Sequence, residues 1–117
     1  NIKSAILALD KKELELKAVE SQLNSKLVQI IIELDLLYSE TTTLKEEIIP
    51  EAQSAYTIIS DGYIYGRFTY LDVVDAQKMW FQSRSQYLMA LKHFHQNIFE
   101  LSRLTGNTNS ANFMEKN

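Results

Sequence analysis

The sequence predicts an all-α protein, a long antiparallel helical hairpin of coiled-coil type, kinked near Pro50 and turning at about residues 62–68. Three observations predict it. Only 3 Gly and 1 Pro occur in 117 residues, too little turn material for a many-stranded β fold. Apolar or Thr residues fall at positions 23, 27, 30, 34, 37, 41, 44 and 48, in alternating steps of four and three, which is the 3.5-residue repeat of a coiled-coil seam. A wide apolar band with the same period then returns in the second half of the chain.

The first helix is expected from about residue 2 to residue 48. Ile6, Leu9, Leu16 and Val19 extend its stripe upstream less regularly. Pro50 removes one backbone donor and crowds the preceding turn, so the helix must kink there or restart with Pro50 in its first turn. The kink is the reading adopted. Beyond it, Ala52, Ala55, Tyr56, Ile59 and Tyr63 keep helical spacing. Gly66 is the natural left-handed stop, because only Gly takes positive φ without steric cost, and Gly62 competes one turn earlier. Thr69 followed three residues later by Asp72 has the form of a capping box, so a second helix starts near Thr69 or Tyr70.

That second helix is expected to run to Leu104 and stop at Thr105-Gly106-Asn107. Positions 73, 80, 87, 94 and 101 read Val, Trp, Tyr, Phe, Leu, and positions 76, 83, 90, 97 and 104 read Ala, Ser, Ala, Asn, Leu. A further stripe at 74, 81 and 88 reads Val, Phe, Leu, with Leu and Ile at 91 and 98. One partner helix cannot cover so wide a band, so neighbours on two sides are implied. The domain reading is a hairpin over residues 1–106 and a polar linker or disordered tail over 107–117. Reversal at Gly66 lays Thr105 opposite about Lys26, so residues 1–25 overhang, as they would in a fragment or an oligomer.

Composition narrows the chemistry. The chain has no Cys, which excludes disulfides and thiolate metal sites, and a net charge of −3, which argues against a nucleic-acid partner. The longest apolar run, Leu27 to Leu37, is interrupted by Gln29, Glu33 and Asp35 and falls short of the roughly 18 residues a membrane helix needs. The chain opens without Met and inside an apolar pattern, so both ends are read as possible cuts in something longer. Between Glu33 and Asp61 stand seven acids against Lys45 alone, ordinarily a solvated helix face.

No catalytic constellation emerges, and the expectation is a protein that is not an enzyme, with no cofactor and no metal site. His93 and His95 are two residues apart and point about 200° from each other on a helix, so they cannot share a metal. Met79, Met89 and Met114 do not cluster, and no phosphate loop or glycine elbow accompanies the Ser, Asp and His residues. Asp72 and Asp75 lie in the first turns of a helix, where carboxylates cap amides and oppose the macrodipole. The rings of Tyr63, Tyr65, Phe68 and Tyr70 surround one turn, either as a local staple or as a contact surface.

From "EEIIPEAQ" through "GYIYGRFTYLDVVDAQ" to "RLTG", the sequence resembles the second repeat of TolC-type outer-membrane efflux factors. In that family a Pro-containing helix, a Tyr-x-x-Gly turn, an L-D-V-x-D-A-Q helix start and an L-x-R-L-T-G end follow in this order. The resemblance covers residues 1–106, and its aromatic turn is similar to the heavy-metal cation branch, the CzcC and CusC type, more than to the drug-exporting branch, so metal cations, or else drugs, are the implied cargo. It implies a homotrimer with a β-barrel in the outer membrane and a helical barrel crossing the periplasm, working with a periplasmic adaptor and an inner-membrane pump. The membrane strands are not in this chain. The resemblance further implies that Tyr63, Tyr65, Gly66, Arg67 and Phe68 form the adaptor-contact tip, and that Asp72 and Asp75 stand at the entrance gate. The family's basic gate partner has no clean counterpart, since Arg67 sits beside the turn and Phe68 takes the next place. The competing reading is a coiled-coil interaction module such as a periplasmic adaptor hairpin.

Overall fold

The computed structural model describes the backbone of residues 1–115 and the side chains of residues 1–106. The helical segments in order are α1 (Ile2–Thr43), a π-helical turn (Leu44–Ile48), α2 (Ile49–Ile64) and α3 (Tyr70–Glu115). No strand occurs among the described residues, so the all-α expectation holds. Two compact units are distinguishable, Asn1–Glu33 and Leu34–Asn117. The first is a single stretch of α1 whose residues are exposed except for half-buried Leu23 and Leu27 and buried Ile30.

In the second unit the remainder of α1, the π turn and α2 supply one side of a seam, and α3 supplies the other. The residues withdrawn from solvent include Leu34, Leu37, Thr41 and Leu44, then Ile49, Ala52, Tyr56 and Ile59, with Thr42, Ser60 and Gly62 beside them. On α3 they include Val73, Ala76, Trp80, Ser83, Tyr87, Ala90, Phe94, Asn97, Leu101 and Leu104, the two interleaved rows that the seven-residue spacing marks out. Small residues in one row give the opposite helix room, while the large ones in the other fill it. Leu37, Leu44 and Ala90 form the buried cluster, with Tyr87 and Phe94 packed against it. Full burial of a leucine contributes about 1.5–3 kcal/mol, and Leu44, at 3% exposed, comes near it.

Ring contacts fix the antiparallel pairing. Tyr38 meets Phe94 at 6.5 Å between centroids, and Tyr56 stacks on Trp80 at 5.4 Å with 29° between planes. The Arg84 guanidinium lies 5.7 Å from the Trp80 ring centroid, a cation–π contact from the same helix. The hydroxyls of Thr41 and Ser83 do not need cross-helix partners, whereas the buried Ser60 Oγ has no hydrogen-bond partner among the described residues. Thr41 Oγ1 donates to the Leu37 carbonyl at 2.9 Å and Ser83 Oγ to the Trp80 carbonyl at 2.7 Å.

Where the sequence reading puts a kink, the structure has a π-helical turn just upstream of Pro50. The Ile49 N–H donates to the Leu44 carbonyl, five residues back instead of four, while Thr43, Ile48 and Ile49 all keep right-handed helical φ and ψ. Pro50 has no N–H to give the Glu46 carbonyl, and in an α-helix its ring would press on that carbonyl. A locally wider turn relieves both. It also moves the seam: Ile48, expected in it, is 41% exposed, and Ile49 is withdrawn in its place.

The expected stop at Thr105-Gly106-Asn107 is corrected, since α3 continues to Glu115. Thr105 does not cap the end of a helix here. Its hydroxyl donates back to the Leu101 carbonyl at 2.9 Å, inside the helix, and Gly106 does not take positive φ. The side chains of the tail expected over 107–117 lie outside the described residues. The further stripe of α3 is left uncovered, with Val74, Phe81, Leu88 and Ile98 all exposed.

Candidate functional site

The link between α2 and α3 is assembled from short-range backbone chemistry. Gly66 is the only glycine with positive φ, at 76°. Its N–H donates to the Tyr63 carbonyl at 3.0 Å, and the Arg67 N–H donates to the Gly62 carbonyl at 2.7 Å. These are the paired bonds of a Schellman ending, which satisfy carbonyls that the last turn of α2 would otherwise leave open. The chain restarts four residues later through a reciprocal box. The Thr69 N–H donates to Asp72 Oδ2 at 2.9 Å, and Thr69 Oγ1 accepts from the Asp72 N–H at 3.2 Å.

Gly62 has a role that spacing did not reveal. It is buried, and a Cβ there would lie 2.7 Å from Phe68 Cε2 and 3.6 Å from Arg67 Cβ. The Phe68 ring therefore rests on the bare backbone of α2, folding the turn back onto the helix it has just left. An aromatic six residues after a helical glycine is the sequence signal, and it is legible only once Gly66 is known to reverse the chain between them.

Two grooves flank that ring. One, of about 380 Å³, is lined by Ala52, Ala55, Ile59, Phe68, Asp72, Asp75, Ala76 and Met79, an apolar floor with two carboxylates. The other, also of about 380 Å³, is lined by Ile58, Asp61, Gly62, Tyr65, Arg67 and Phe68. The structure thus brings Tyr65, Arg67 and Phe68 together in one groove and Asp72 and Asp75 together in the other, with Phe68 shared. Tyr63 lines neither. Its ring faces Tyr70 at 6.0 Å and braces the two helix ends against each other. Tyr65 is 80% exposed, and its neighbours Ile58 and Asp61 were not singled out by sequence reasoning.

The two acids differ in their ties. Asp72 is half-buried and holds the Thr69 amide, whereas Asp75, one turn on, is exposed. No group of three or more His, Cys, Asp or Glu able to hold a metal ion is found among the described residues. His95 instead meets the edge of Phe94 at 6.0 Å. Among the described residues no helix is long and apolar enough to cross a membrane, which says nothing about β-strands elsewhere.

Residues 1–107 match the outer membrane efflux protein family. Over 106 residues the chain is 34% identical to the cobalt-zinc-cadmium resistance protein CzcC of Cupriavidus metallidurans, covering 91% of this chain and 25% of that protein. The chain therefore spans about a quarter of the length of the curated relative it matches. No solved structure matches it.

Proposed function

The chain belongs to the outer membrane efflux protein family, and on that premise we propose that it is a periplasmic helical-barrel segment of a trimeric outer-membrane channel that exports heavy-metal cations. In this reading the channel works with a periplasmic adaptor and an inner-membrane pump, and the segment itself performs no catalysis. The observation that carries the proposal is the tip. A rigidly bonded reversal presents Tyr65, Arg67 and Phe68 outward on one groove while Asp72 and Asp75 share the other. Family membership favours this reading over an adaptor hairpin. The metal preference follows the likeness to the cobalt-zinc-cadmium resistance protein.

The adaptor would contact Tyr65, Arg67 and Phe68 directly, with Gly66 shaping the turn and Tyr63 bracing it through Tyr70. Exposed rings around a charged group are the composition that protein contacts favour. The bare stripe of Val74, Phe81, Leu88 and Ile98 fits against neighbouring helices of the barrel, which would remove it from water. Threefold repetition of Asp72 and Asp75 around an axis would sum their fields and draw cations to the entrance. The metal ion is cargo here, attracted by a diffuse field and held by no ligand set.

Two measurements test the two halves. Replacing Asp72 and Asp75 together with Asn should lower divalent-cation conductance of the reconstituted full-length trimer, while the amide oxygen that replaces the Asp72 carboxylate still accepts the Thr69 N–H. Unchanged conductance would return both acids to helix capping alone. Replacing Tyr65 and Phe68 with Ala should weaken adaptor capture by the full-length protein by about tenfold or more, as loss of central aromatic contacts does. Undiminished capture would remove the tip from the adaptor interface.

A further inference from the structure

The seam of the first arm runs through buried or half-buried 34, 37, 41, 44 and then 49, 52, 56, 59, with Thr42, Ser60 and Gly62 also withdrawn beside it, and its steps are three or four except the step of five from Leu44 to Ile49. That step falls on the π-helical turn, whose Ile49 N–H to Leu44 carbonyl bond spans the same five residues. A π turn inside an α-helix is a one-residue insertion. One residue is worth about 100° of rotation around an α-helix, so everything beyond the insertion is re-faced by roughly that angle.

Without the insertion the seam would fall on other residues. A seam continuing from Leu44 in unbroken steps of four and three would use Ile48, Glu51, Ala55, Ile58, Gly62 and Tyr65. It would press a carboxylate and two of the tip's outward residues into the helix pair, and turn half-buried Tyr56 out to water. With the insertion, Tyr56 stacks on Trp80, Tyr63 meets Tyr70, and Ile58 at 62% exposure joins Tyr65 in the outer groove.

We propose that the π turn at Leu44–Ile48 is a register insert that sets the facing of the tip. It takes Ile58 and Tyr65 off the pairing seam and presents them, with Asp61, Arg67 and Phe68, as the surface on which the adaptor docks. This rests on the adaptor reading above and adds Ile58 and Asp61 to the docking surface. It also adds a determinant one helical arm away that touches no partner. The groove offers one carboxylate and one guanidinium around an apolar floor, so the docking segment carries an apolar side chain flanked by a basic and an acidic group.

The test uses length variants of the full-length protein. Deleting Glu47 turns the step of five into a step of four, so the π turn becomes α-helix while the tip keeps its facing. Adaptor affinity should stay within about twofold of the parent, well under one hot-spot contact. A Cys at Ile58 should remain more reactive to maleimide than a Cys at Tyr56. Inserting one Ala after Glu47 rotates the tip by a further 100° or so, and should cost adaptor affinity more than about tenfold and change the labelling order. The proposal is overturned if the deletion weakens docking as much as the insertion, if the insertion docks like the parent, or if the deletion reverses the labelling order. The labelling needs no adaptor, so it reads the register even where Tyr65→Ala and Phe68→Ala show that the adaptor docks elsewhere.

Discussion

Between Leu44 and Ile48 the helix takes in an extra residue and keeps its right-handed backbone, whereas between Tyr65 and Thr69 it stops, passes once through positive φ and begins again. Both are departures from four-residue bonding, yet they differ in what holds them. The second is held by groups within a few residues of each other: one glycine, two Schellman bonds and one reciprocal box. The first has Pro50 beside it, and how far the helix turns there also has to suit the apolar spacing that packs against α3. A local break can be read from a short string of residues. A break set by tertiary packing needs the partner helix to be seen.

Substitutions at the two places separate these causes. The largest effect is expected at Leu44, which is 3% exposed at the head of the π turn: Leu44→Ala should cost about 2–4 kcal/mol in denaturant unfolding of the full-length protein. A loss below about 1 kcal/mol, on the scale of a surface change, would mean the seam does not anchor this break. Next comes Gly66→Val, where a β-branched residue must take φ near 76°; it should lower stability by about 1–2 kcal/mol, read as a fall in Tm. An unchanged Tm would show that the reversal does not need the left-handed residue.

Thr69→Ala should be milder, about 1 kcal/mol, because it removes one side-chain acceptor while leaving the Asp72 carboxylate on the Thr69 amide. The smallest effect is expected for Pro50→Ala, within about 0.5 kcal/mol, since Pro50 is exposed and the packed seam on either side of the π turn should hold the register once the ring is gone. If that variant instead buried a Cys placed at Ile58, the proline would be the cause of the π turn.

The same division explains what could be read in advance. The seams at 30–44 and 73–104 were legible because a period of 3.5 repeats often enough to survive one polar member such as Asn97. Gly66 and the Thr69–Asp72 pair were legible because their partners are neighbours in sequence. The shift from Ile48 to Ile49 was not, because two adjacent isoleucines let an unbroken stripe pass through a skipped residue. The end of α3 was misread for a related reason: Thr105 and Gly106 are stop signals only when the chain turns, and here the threonine hydroxyl bonds back along the helix. At the tip, Tyr65 and Phe68 were picked out by their rings, and Arg67 through the family resemblance. Ile58 and Asp61, which line a groove with those three, carry no such local signal, because the face a residue takes depends on the helical register upstream of it.

The ring of Phe68 lying where Gly62 lacks a side chain has a consequence for how this tip can vary among its kin. Any methyl at 62 must evict the aromatic, and any smaller group at 68 leaves the backbone of α2 uncovered, so neither position can drift alone. Descendants of this tip should carry the two residues as a single inherited unit, or replace both together.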